Sequence, residues 1–170
     1  MPPADTDDMN LHRTDEVAIR RLPTVGEDST PRSEILWRGA PTGSVVPGAI
    51  LEAAYTWRGH CLLLMTDDVP DEDMLGIHLF TGDFRLLDSA TLGGPYTTGA
   101  FSALPSMVDD ELRFRFIGGV DWTVRLLREP GLRLPFIGDA RGVTRRFGFR
   151  RHFIVHGDPL PESRQPTELK

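Results

Sequence analysis

A single cysteine stands in 170 residues, and Lys170 is the only lysine. One cysteine excludes an intrachain disulfide. Cys61 lies in the run Cys61-Leu62-Leu63-Leu64-Met65, where a thiol is expected to be buried and inert rather than nucleophilic. With so little lysine, positive charge rests on arginine, a bias in keeping with a bacterial chain from a GC-rich genome. No stretch approaches the ~20 apolar residues of a membrane span. The N-terminus shows no basic region followed by an apolar run, so no signal peptide is expected and the cytoplasm is the default compartment. No His-Glu-x-x-His motif of a zincin is present, since His152 and His156 stand four apart but without the glutamate and in a strand-like stretch, and there is no Gly-x-Ser-x-Gly elbow. Catalysis by metal or nucleophile therefore has no signature here, and no cofactor is expected.

What the chain does have is alternation. Asp110 to Glu129 reads as apolar and polar residues in turn on both sides of Gly118-Gly119, the period of two of half-buried strands around a turn. A two-residue loop would mix core and solvent residues on both faces. A three-residue loop, Ile117 to Gly119, places Phe116 opposite Val120, Phe114 opposite Trp122 and Leu112 opposite Val124, because directly opposed residues share a face. The other face then carries Arg113, Arg115, Asp121, Thr123 and Arg125. A second hairpin joins Ala49–Trp57 to His60–Thr66 through Arg58-Gly59. Trp57 opposes His60, Tyr55 opposes Leu62 and Ala53 opposes Leu64. Both of its faces are largely apolar, so it is expected at the centre, covered on two sides.

The remaining segments follow the same logic. Glu34–Arg38 reads as a short strand and Gly39–Gly48 as a loop. Met74–Thr81 and Phe84–Asp88 form a third hairpin around Gly82-Asp83, with Ala90–Gly94 beyond it. Tyr96–Leu104 is a weaker strand, Pro130-Gly131 a break before a short strand near Leu132, and Val143–Val155 one last long strand. The sequence thus predicts an all-β antiparallel sandwich or barrel of about nine to ten strands. Residues 1–33 are expected to be a mostly disordered tail, 34–157 a single β domain, and 158–170 a flexible tail. Within the first tail, Glu16–Leu22 offers a helical turn or an extended segment that docks on the domain. At this length one domain buries enough apolar surface to fold without metal or disulfide.

Charge is uneven. Residues 1–109 hold 7 Arg against 17 acids, a net of −10, and residues 110–170 hold 12 Arg and Lys against 8 acids, a net of +4. Three candidate sites follow. Asp67, Asp68, Asp71, Glu72 and Asp73 crowd one loop, oxygen donors of the kind calcium or magnesium takes. Their spacing is not that of an EF-hand, and a solvated loop end is the simpler reading. His60, His78 and His152 would form an enzyme site with a carboxylate only if three strands brought them together. Arg113, Arg115, Arg125, Arg146, Arg150 and His152 fall on the solvent side of two strands. If those strands are neighbours, the guanidinium groups share one surface. The aromatic residues of both strands point the other way, which leaves no ring to stack a base. These features point first to a non-enzymatic binding module for a protein partner. The alternatives are weak single-stranded nucleic-acid binding through the arginine face and an enzyme with a histidine/carboxylate site.

Overall fold

A computed structural model describes residues 9–24, 26, 30–68, 74–94, 99–106, 108–132, 139–145, 148 and 150–157. In chain order its strands are β1 (His12–Arg13), β2 (Val17–Arg21), β3 (Arg32–Trp37), β4 (Ala40–Pro47), β5 (Ile50–Trp57), β6 (His60–Thr66) and β7 (Leu75–Thr81). There follow β8 (Leu86–Leu92), β9 (Ser102–Leu104), β10 (Glu111–Arg115), β11 (Asp121–Leu132), β12 (Val143–Arg145) and β13 (Arg150–His156). No α-helix occurs among the described residues, so none there is long and apolar enough to cross a membrane.

The strands make three antiparallel sheets, and none closes into a barrel. The largest has six strands in the order β1-β5-β6-β7-β8-β12, the second has four, β13-β11-β10-β9, and the third has three, β2-β3-β4. Alternation in β5, β6 and β7 explains the layering. Ala53, Tyr55, Trp57, Leu62, Leu64, Ile77 and Leu79 leave one face of the six-stranded sheet and meet Leu112, Phe114, Trp122, Val124, Phe153 and Val155 of the four-stranded sheet. Ala54, Cys61, Leu63, Met65 and Phe80 leave the other face and meet Val17, Ile35 and Val46 of the three-stranded sheet. The six-stranded sheet is therefore the middle of a three-layer sandwich, as its two apolar faces required. Trp122, Phe114 and Phe153 are fully buried, and burial of each such side chain contributes roughly 1.5–3 kcal/mol.

Turn chemistry sets the registers. Arg58 and Gly59 both have positive φ, 48° and 73°, the primed turn whose twist suits a two-residue hairpin. Trp57 accordingly opposes His60 and Tyr55 opposes Leu62. In the β10–β11 hairpin Phe114 opposes Trp122 and Leu112 opposes Val124, and the ladder closes at Arg115 and Asp121. The register is the one expected. The loop is longer than expected, since Phe116 and Val120 lie outside the ladder.

Five segments depart from the sequence reading. Phe84–Asp88 and Ala90–Gly94, read separately, share one strand, β8, that starts at Leu86. Gly39–Gly48, read as a loop, contains β4. Its two prolines and its kink at Gly43 (φ 79°) are tolerated because it is an edge strand, paired only with β3 among the described residues. Inside the stretch read as tail, β1 pairs with β5 and β2 pairs with β3, so Glu16–Leu22 takes the extended, docked form. Residues 1–8 and 158–170 lie outside the described residues. Pro130-Gly131 does not end β11, which runs to Leu132 across a register shift between Leu126 and Gly131. Val143–Val155 is two strands in two sheets: β12 pairs with β8 and β13 with β11.

Candidate functional site

The outer face of the four-stranded sheet carries the arginines expected there. Arg113, Arg115 and Arg125 are exposed on β10 and β11, and β13 lies beside β11, bringing Arg150 to the far end of the same sheet. Acids are interleaved with them. Asp121 lies 2.9 Å from Arg113 and 2.9 Å from Arg115, and Glu111 stands directly opposite Arg125. Hydrogen bonding from Arg115 chiefly, with the charges of both arginines, holds the Asp121 carboxyl below its ordinary pKa. Arg146 lies outside the described residues.

Arg145, not singled out in the sequence, behaves differently. It turns inward at the passage from β12 to β13, only 3% of its side chain exposed. Its guanidinium meets Asp88 at 2.8 Å and Asp139 at 2.6 Å, and donates to the Phe153 carbonyl at 2.7 Å. It also lies over the Phe153 ring, 4.3 Å from the centroid. Arg151, on the apolar side of β13, is buried near Asp139. Asp88 accepts the His152 N–H at 2.7 Å, and Asp139 accepts the Val155 N–H at 3.3 Å. The two carboxylates and Arg145 thus engage backbone groups of β13 and tie it to the six-stranded sheet. Burial pushes the Asp139 pKa up, but the Arg145 hydrogen bonds and charge outweigh it and leave the carboxyl below its ordinary value.

The histidines do not converge. His60 shares a face with Trp57, its ring centroid 5.7 Å from the indole. The His152 pKa is lowered mainly by burial, with His60 and Arg150 adding to the effect and Asp88 opposing it. His78 stands opposite Leu63, on the other face of the six-stranded sheet. Cys61 is buried on that face as well, as expected, and burial pushes its pKa up to about 12.

His78 belongs to a pocket that the sequence did not announce. The three-stranded sheet packs over β5, β6 and the Phe80–Phe84 end of β7. The neighbouring part of the six-stranded sheet forms the floor of a cavity of about 360 Å³. Gly76 and His78 of β7, Ser89 and Thr91 of β8 and Thr144 of β12 line the floor, with Thr30, Pro47, Asp67 and Met74 around it. Register explains the grouping: Gly76, Thr91 and Thr144 form one cross-strand row, and His78 and Ser89 form the next. His78 is only 3% exposed, and its Nδ1 shares a 2.8 Å hydrogen bond with the Ser89 hydroxyl.

Of the acidic loop, Asp67 lies at the pocket and Asp68 is 3.9 Å from Arg21. Asp71, Glu72 and Asp73 lie outside the described residues. Among the described residues no group of three or more potential ligands is placed to hold a metal ion. Compared with family models, curated proteins and solved structures, the chain matches none.

Proposed function

We propose that the chain is a non-enzymatic, cytoplasmic binding module for a protein partner, and that the outer face of the four-stranded sheet is its contact surface. The observation that carries this reading is the fixed alternation of charge on that face, Arg113 and Arg115 around Asp121 and Arg125 opposite Glu111. A patterned face rewards a partner with the complementary pattern and repels others, which is how charged interfaces gain specificity and register. A polyanion gains less from it, because each interleaved carboxylate cancels part of the attraction that phosphate neutralisation supplies. The rings of this sheet point into the core, which further favours protein over single-stranded nucleic acid.

The test compares wild-type chain with an Arg113→Glu/Arg125→Glu variant as immobilised bait in extract of the source cells. The expected result is a protein retained by the wild type, released by salt and lost on the variant, with the affinity difference reproduced by titration of the purified pair. Micromolar binding of mixed-sequence RNA or DNA by the wild type, lost on the same variant, would replace this reading with the nucleic-acid one. Identical retention on both baits would remove the sheet face from either.

A further inference from the structure

Long charged side chains usually cover the solvent-facing side of an antiparallel sheet. Over the β7–β8–β12 end of the six-stranded sheet the residues are instead glycine, serine and threonine. Small side chains give the cavity its depth, and their hydroxyls give it chemistry. Gly76 is needed for this arrangement. A Cβ there would come within 2.5 Å of His78 Nε2, so only glycine leaves room for the imidazole to lie along its own strand and meet Ser89.

The floor is held from beneath. Asp88, on the opposite face of the same strand, accepts the Ser89 N–H at 2.8 Å and pairs with Arg145 beside Thr144. A floor fixed in advance lowers the cost of binding, because less has to be ordered when a ligand arrives. Two charged residues are among those that line the pocket, Asp67 at the rim and Arg145 at the floor, and the floor itself is close to neutral. The Arg145 charge is matched by Asp88 and Asp139, and the hydroxyls of Ser89, Thr91 and Thr144 can each donate and accept. The volume lies at the lower end of the range for small-molecule sites, roughly 300–1,000 Å³.

We infer that this pocket, independently of the sheet face above, binds a free, small, neutral molecule rich in hydroxyl groups, of the size of a single sugar ring. A charged ligand would meet no unmatched counter-charge on the floor. A purely apolar one would strand the threonine hydroxyls, at a cost of about 1–3 kcal/mol for each left unsatisfied.

The experiment follows backbone amide signals of the full chain by NMR during titration with three probes, myo-inositol, citrate and putrescine. Saturable shifts with inositol at Gly76, Ser89, Thr91 and Thr144, and none there with the two charged probes, are expected. A Thr91→Val/Thr144→Val variant keeps strand-forming side chains and removes both hydroxyls. It should bind inositol at least about tenfold more weakly, two hydrogen bonds being worth roughly 1 kcal/mol each. If that variant fails to fold, Ser89→Ala, which removes one hydroxyl, should weaken inositol binding about fivefold. Saturable binding of citrate or putrescine at these residues would overturn the inference. So would inositol shifts that persist unchanged in the variants, or no saturable shift with inositol.

Discussion

Two groups of arginine and aspartate occupy this molecule, and they do opposite things. On the outer face, Arg113 and Arg115 hold Asp121 in water, with 45% and 65% of the arginine side chains exposed. Between the sheets, Arg145 holds Asp88 and Asp139 with 3% of its side chain exposed. The residue types and distances are nearly the same. Exposed pairs exchange one set of good contacts for another and contribute little. A buried pair has given up its water, so removing one partner leaves a stranded charge. The exposed group is thus free to serve a partner without cost to the fold. The buried group is committed to joining β13 to the six-stranded sheet.

The comparison breaks most visibly at Asp88. It serves Arg145, the Ser89 N–H and the His152 N–H at once. Asp88→Asn should cost about 3–5 kcal/mol in equilibrium unfolding, the usual loss when one member of a buried pair is removed. A loss below about 1 kcal/mol, the range of exposed pairs, would mean that the buried group is no clasp. Next in size is Gly76→Ala. The added methyl has to displace the His78 ring, so a cost of about 1–3 kcal/mol is expected, with loss of the His78 and Ser89 contact seen as a changed imidazole signal.

Asp139 sharpens the comparison through pH. Its folded pKa lies below the ordinary value, so it favours folding while ionised. That contribution is complete above its unfolded value of about 3.9 and is lost as pH falls from there through the folded pKa. Asp139→Asn should therefore flatten the acid limb of the stability curve in that window, and an unchanged limb would show that the clasp does not titrate there. The smallest effect is expected at Asp121→Asn on the outer face, where the melting temperature should stay unchanged at moderate salt. The same change leaves Arg113 and Arg115 without their carboxylate, so any residual affinity for oligonucleotides should rise.

Local chemistry made half of this fold legible. Arg58-Gly59 and Gly118-Gly119 announced their turns, and the registers of β5–β6 and β10–β11 followed. The apolar run from Cys61 to Met65 announced a strand covered on both faces. What stayed hidden is decided far along the chain. β4 looked like a loop because Pro41, Gly43 and Pro47 are poor strand residues anywhere but at an edge. β1 and β2 carry too little apolar surface to be read without the sheets they join. The change of sheet between β12 and β13 interrupts no alternation, and Asp88, 57 residues before Arg145, helps to fix it. The arginine face was visible in part, since alternation separates Arg113 and Arg115 from Phe114. Nothing local marks Arg145 as buried beside Arg146, which lies outside the described residues. The pocket was invisible, because Gly76, Ser89, Thr91 and Thr144 become one surface only through three strands in register.

The division between the two arginine groups is tested most directly by urea unfolding of three proteins side by side: the wild type, Arg145→Ala, and Arg113→Ala/Arg115→Ala. With a slope of roughly 1–3 kcal/mol per molar urea for a chain of this size, Arg145→Ala should lower the midpoint by about 1 M or more. The surface variant should unfold with the wild type. Equal midpoints for the two variants, or a larger loss in the surface variant, would contradict the account.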